Sequence, residues 1–157
     1  MRLRLLGIAS LAAVLLPALA TAQAQPIRSV DTNWDGIGLD LMAVERKGNV
    51  LTVKWGVRNS GASRETVQFT LVGDQATSYL VDEENGTKYY ALTDKEGHGL
   101  ATEHEWGGSG YGVSETVEAG GNKRFWAKFP APPAAVKTLT IIFSGTEPLE
   151  EVPITDK

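Results

Sequence analysis

From residue 37 onwards, hydrophobic and polar residues alternate along much of the chain. The clearest stretch runs from Leu51 to Val57, where every second residue is large and apolar. This alternation is typical of β-strands, because successive side chains point to opposite faces of a sheet. The same pattern occurs at residues 37–42, 67–72, 123–129 and 138–143. No stretch of this region shows a convincing helical period, so the chain is predicted to be all-β.

Turn signals separate these stretches. Asn85-Gly86 lies between the short apolar runs at 79–82 and 89–92, and predicts a hairpin because Asn-Gly accepts the positive φ angles of tight turns. Val44 falls out of phase with the alternation before it, which indicates a bulge or a strand end.

The spacing of strands and turns predicts a two-sheet antiparallel β-sandwich of seven or eight short strands. The last strand, at residues 149–154, is expected at a sheet edge, because Pro148 and Pro153 exclude it from a sheet centre. The chain contains no cysteine. Without a disulfide between the sheets, Trp55 and Phe69 are expected to fill the space between them.

The first 24 residues have the layout of a secretory signal peptide. Arg2 and Arg4 precede an apolar run at residues 5–16, which is short for a membrane span, and small residues follow it. Cleavage after Ala20 and cleavage after Ala24 both fit. The predicted organisation is a signal peptide at 1–24, an extended segment at 25–35 and one domain at 36–154, located in the periplasm or secreted, with no stable membrane insertion after cleavage.

The charge narrows the range of partners. The whole chain has a net charge of −4, and removal of the predicted signal peptide takes away two arginines and no acidic residue. An acidic domain of this kind repels nucleic acids and anionic lipid surfaces. Nucleic acid is therefore not an expected partner.

Three segments together resemble secreted bacterial immunoglobulin-like envelope domains. Residues 50–61 are similar to the second strand of those domains, residues 80–89 to their central hairpin, and residues 128–133 with 152–154 to their C-terminal end. Small mycobacterial secreted antigens and domains that precede OmpA-like peptidoglycan-binding modules belong to this group. The resemblance implies an immunoglobulin-like sandwich and transfers no catalytic motif.

One motif predicts a possible metal site. Asp31, Asn33 and Asp35, followed by Gly36, match the opening of an EF-hand calcium loop, in which carboxylate and amide oxygens bind the ion. The position of the bidentate glutamate, however, is occupied by Met42. The alternative is a turn rich in Asp and Asn that leads into the first strand.

Aromatic residues supply the candidate ligand-binding site. Trp106 and Tyr111 lie in a glycine-rich loop, and Trp126 is expected on the exposed face of its strand. Such rings offer a large contact area at low entropic cost. The alternative is that Trp106 and Tyr111 fold back and cap one end of the sandwich.

No set of residues forms a recognisable catalytic site. His98 and His104 have acidic neighbours, but their spacing fits no closed zinc site, and they are expected to be solvated loop residues. Paired glutamates, as at Glu150 and Glu151, are expected on opposite faces of a strand. The chain is therefore predicted to be a non-enzymatic binding or accessory domain of the cell envelope that needs no cofactor. Its expected partner is another envelope protein or a surface ligand, and calcium binding is the alternative function.

Overall fold

A computed structural model describes residues 25–73, 76–102 and 112–157. The predicted signal peptide and the predicted loop with Trp106 and Tyr111 lie outside these residues. All regular secondary structure within the described ranges is β-strand, which confirms the all-β prediction. The strands are β1 (Arg28–Asp31), β2 (Ile37–Lys47), β3 (Val50–Asn59), β4 (Glu65–Thr70), β5 (Tyr79–Asp82), β6 (Thr87–Tyr89), β7 (Gly112–Val117), β8 (Asn122–Pro130), β9 (Thr138–Ile142), β10 (Leu149–Pro153) and β11 (Thr155–Asp156).

The described strands form three sheets and not the predicted two, because β4 and β7 pair only with each other. The first has the order β1-β2-β3-β8, and β11 adds a short parallel pairing to β2. The second has the order β10-β9-β5-β6, and the third pairs β4 with β7. Every described pairing other than β11 with β2 is antiparallel.

The first sheet extends beyond the predicted domain limits of 36–154. Strand β2 is long enough for its outer edge to pair with β1 along its first half and with β11 near its end. The extended segment at 25–35 thus contributes a strand. The described residues form eleven strands, more than the predicted seven or eight. The additional strands are β1, β11 and β7, and the alternation of β7 is hard to recognise in the sequence because its centre is polar.

One predicted bulge and one predicted turn agree with the structure. The register between β2 and β3 shifts between Leu41 and Ala43, which confirms the bulge signalled by Val44. Strands β5 and β6 form the predicted hairpin, and Gly86 has a φ of 63° in its turn.

Trp55 lies at the centre of the core. Its side chain is 1% exposed, and its ring contacts Phe69 edge-on at 5.4 Å and stacks on Phe125 at 5.6 Å. Phe143, which follows β9 directly, lies 5.0 Å away, so this indole joins residues of two sheets to the end of a strand of the third. The expectation that Trp55 and Phe69 fill the space between sheets is confirmed. The indole N–H has no hydrogen-bond partner among the described residues.

Arg46 ties the C-terminal end to the rest of the domain. Although it is charged, its side chain is 6% exposed. Its guanidinium donates hydrogen bonds to the backbone carbonyls of Pro133 and Val136 and to the carboxylate of Asp156. These bonds satisfy the buried donors and hold β11 beside β2.

Candidate functional site

Trp126 is the exposed centre of strand β8. Its neighbours Phe125 and Ala127 point into the core, whereas the Trp126 side chain is 37% exposed. The hydroxyl of Thr102 accepts a hydrogen bond from the Trp126 backbone N–H at 2.7 Å, and the Thr102 N–H donates to the Trp126 carbonyl at 2.9 Å. The ring therefore stands on a strand whose backbone is paired on both sides.

Basic side chains surround this ring. Arg124 and Lys128 lie two residues before and after Trp126, and hence on the same face of β8. The Lys128 Nζ lies 5.8 Å from the centre of the indole ring, within the range of a cation–π contact. Lys54 of β3 lies directly opposite Trp126. We call Arg124, Trp126 and Lys128 the Trp126 face.

The cations of β3 have acidic partners on β2. Lys54 pairs with Glu45 at 3.0 Å, and Arg58 pairs with Asp40 at 2.6 Å. Burial acts to raise the pKa of Asp40, but hydrogen bonds from Arg58 and Ser29 outweigh it and lower that pKa. The charges of Lys54 and Arg58 are therefore neutralised by acidic side chains of the same sheet.

The cations of the Trp126 face have no such partners. Within the described ranges, no carboxylate forms an ion pair or hydrogen bond with Arg124 or Lys128. Both side chains are exposed. The face therefore presents a rigid aromatic ring between two uncompensated positive charges.

The turn at residues 31–36 is built differently from the predicted calcium loop. The Thr32 hydroxyl donates to the Ile37 carbonyl at 2.7 Å and accepts a hydrogen bond from the Trp34 N–H at 3.2 Å. Gly36 has a φ of 68°, as the sharp turn requires. A threonine, rather than the expected Asp or Asn side chains, thus stabilises the turn.

Asp31, Asn33 and Asp35 are exposed and line an open cleft of about 440 Å³. Arg58 lines the same cleft, and the negative charge of Asp31 contributes to the raised pKa of that arginine, after the larger effect of Asp40. A guanidinium beside the three oxygen-bearing residues opposes the binding of a second cation.

A group of possible metal ligands is found instead at Asp94, Glu96 and His98, whose donor atoms lie within 4.8 Å of one another. Asp94 accepts hydrogen bonds from the backbone N–H groups of Glu96 and His98, both at 2.9 Å. The bond from the His98 backbone is the main reason for the lowered pKa of Asp94. The group is therefore explained as an exposed turn held by Asp94.

Sequence reasoning missed two surface features on the second sheet. Tyr90 is 42% exposed and lies 5.9 Å from Tyr79, over which the Lys88 ammonium sits at 4.7 Å. The other feature is an acidic cleft that contains both Glu150 and Glu151, which were expected on opposite faces. The adjacent tyrosines and glutamates were the only signals of these features.

Comparisons with models of protein families, with curated proteins and with solved structures find no match. Within the described ranges, no helix has the length and apolar character that a membrane span requires. Of the three predicted ligand residues, Trp126 lies within the described residues, where it is exposed on β8 between Arg124 and Lys128. Trp106 and Tyr111, the other two predicted ligand residues, lie outside these residues.

Proposed function

We propose that this chain is an exported, non-enzymatic binding module of the cell envelope, with an immunoglobulin-like β-sandwich. The signal-peptide pattern of residues 1–24 supports export to the periplasm or beyond. A common core with Trp55 at its centre supports the sandwich. The resemblance of three segments to envelope domains supports the location.

The observation that carries the binding role is the Trp126 face. The indole is 37% exposed between two cations, and hydrogen bonds hold the backbone of Trp126 on both sides of the strand. The ring can stack against the apolar face of a sugar. Arg124 and Lys128, about 7 Å before and after it along the strand, can bind carboxylate or phosphate groups.

The ligand class that fits this arrangement is an anionic polysaccharide. A ring alone suits neutral sugars, and cations alone suit any polyanion, whereas this face presents both within one strand. Because Arg124 and Lys128 have no described acidic partners, no ion pair has to break before the ligand binds. The module would thus attach to an acidic glycan of the envelope.

Binding of polygalacturonate, measured by isothermal titration calorimetry at low ionic strength, tests this function. We expect Trp126→Ala to weaken binding by about tenfold or more, as for a central aromatic contact residue. Tyr90→Ala is the matched control, because Tyr90 is a similarly exposed aromatic residue that follows β6, away from β8. Neutral dextran should bind weakly to all three proteins.

Equal binding by Trp126→Ala and the unchanged protein would contradict the proposed site. If neither polygalacturonate nor a phosphate-bearing teichoic acid binds, the proposed ligand class is wrong.

A further inference from the structure

A second cleft of about 440 Å³ lies on the second sheet, where the β5–β6 hairpin approaches β9 and β10. Carboxylates dominate its lining, and they come from two separate parts of the chain. We call it the acidic cleft, and the residues that define it are Asp82, Glu83, Glu84, Thr140, Glu150 and Glu151.

A β-bulge places two of these carboxylates on the same side. The pairing of β10 with β9 shifts register between Leu149 and Val152, which are both buried. The two residues between them, Glu150 and Glu151, are both exposed, and both line the cleft. In a regular strand one of them would point into the core.

The negative charge of the cleft is not balanced from within. The Asp82 carboxylate stabilises the turn of the hairpin, because it accepts hydrogen bonds from the backbone and the side chain of Asn85. Among the described residues, Glu83, Glu84, Glu150 and Glu151 have no ion pair. Lys137 is the one basic residue of the lining, and its ammonium lies 3.5 Å from Asp156.

Thr140 supplies an independent sign of a ligand. This residue of β9 lines the cleft and is only 4% exposed. Its hydroxyl has no hydrogen-bond partner among the described residues, although it is not sealed from the cleft as the Trp55 indole N–H is sealed in the core. The hydroxyl therefore opens into the cleft from a side chain that is otherwise buried, and a ligand that donates a hydrogen bond can reach it there.

The arrangement suits a chain with separated positive charges better than a metal ion. Within the described ranges, the group of three acidic or histidine ligands whose donor atoms converge within 4.8 Å is at Asp94, not here. The molecule also offers its own example of a cation beside this strand, because the Arg28 guanidinium donates to the Glu150 carbonyl at 2.9 Å.

We propose that the acidic cleft binds a lysine- or arginine-bearing peptide segment of a partner protein. Side-chain cations of the segment pair with the glutamates of β10 and the hairpin, and one donor reaches the Thr140 hydroxyl. This site lies on a different sheet from the Trp126 face and has the opposite charge. The module would therefore join an acidic glycan to a basic protein segment.

Titration of the protein with a tetralysine peptide at low ionic strength tests this site. We expect the double variant Glu150→Gln with Glu151→Gln to weaken binding about tenfold or more, and Thr140→Val to weaken it a few-fold. Glu118→Gln is the matched control, because Glu118 is an exposed glutamate outside the cleft. Circular dichroism and the thermal midpoint check that each variant is folded.

The proposal is overturned if the unchanged protein does not bind tetralysine, or if Glu118→Gln weakens binding as much as the double variant. It is also overturned if calcium binds in the cleft and the peptide does not. Trp126→Ala should leave tetralysine binding unchanged, so that failure of this site and failure of the glycan site give different results.

Discussion

The Trp126 face and the acidic cleft are opposite in charge, yet each draws unpaired charges from a strand at the end of its sheet, β8 in the first and β10 in the second. In the first sheet, β2 supplies acids to the cations of β3, its neighbour. Strand β8 follows β3 on the other side; its Lys123 pairs with Glu115, but its Arg124 and Lys128 have no acidic partner among the described residues. In the second sheet, β10 has a single neighbouring strand and keeps its glutamates unpaired. Strand β10 has no described strand on its outer side, and the described residues that pair with the outer side of β8, among them Leu100 and Thr102, carry no charge, so Arg124 and Lys128 find no cross-strand acid there.

Removal of paired and unpaired cations from the first sheet gives the largest expected contrast. Arg124→Gln with Lys128→Gln should weaken polygalacturonate binding about tenfold or more and reduce its salt dependence, because these charges are free for a ligand. Lys54→Gln with Arg58→Gln should change the affinity less than about twofold, because Glu45 and Asp40 already neutralise those cations. Titrations at two salt concentrations measure both effects.

If both double variants lose affinity equally, the distinction between paired and unpaired cations fails. The ligand then responds only to the total charge of the sheet.

A smaller effect is expected from the internal ion pair itself. The pKa of Asp40 is lowered in the folded protein, despite burial, by hydrogen bonds from Arg58 and Ser29. Its contribution to stability is therefore present above the ordinary carboxyl pKa of about 4 and is lost as the pH falls through the lower folded value. Asp40→Asn should lower the free energy of unfolding at pH 7 by at most about 1 kcal/mol, since Arg58 is half exposed.

Urea unfolding at neutral and acidic pH measures this difference, which should shrink as the pH falls below the ordinary carboxyl pKa and the Asp40 carboxylate of the folded protein becomes protonated. A difference that stays constant with pH would mean that the substitution acts through packing and not through the ionised carboxylate.

The smallest expected effect concerns calcium. Arg58 lies in the cleft of Asp31, Asn33 and Asp35, so millimolar calcium should leave the thermal midpoint of the protein unchanged. Differential scanning fluorimetry with calcium and with magnesium checks this. A rise with calcium that Asp35→Asn removes would restore the calcium site predicted from the sequence motif.

Much of the candidate surface could be predicted for local reasons. Alternation in residues 123–129 placed Trp126 on the exposed side of its strand, because the direction of side chains in a strand follows from their order alone. The glutamates at 150 and 151 show the limit of this rule. A bulge in the pairing of β10 with β9 reverses the expected direction of one of these two side chains, and no residue type in that segment predicts the bulge.

By itself, the sequence determined the all-β class, the Asn85-Gly86 hairpin, the bulge near Val44 and the burial of Trp55, because these depend on local periodicity, turn preference and hydrophobicity. Only the tertiary structure decided which charges are paired. Asp40 and Arg58 are 18 residues apart, and β2 had to lie beside β3 before they could meet. The unpaired cations Arg124 and Lys128 on β8 and the unpaired carboxylates on β10 follow from the same strand order. That order depends on many contacts between residues that are distant in the sequence, so no local pattern predicts it.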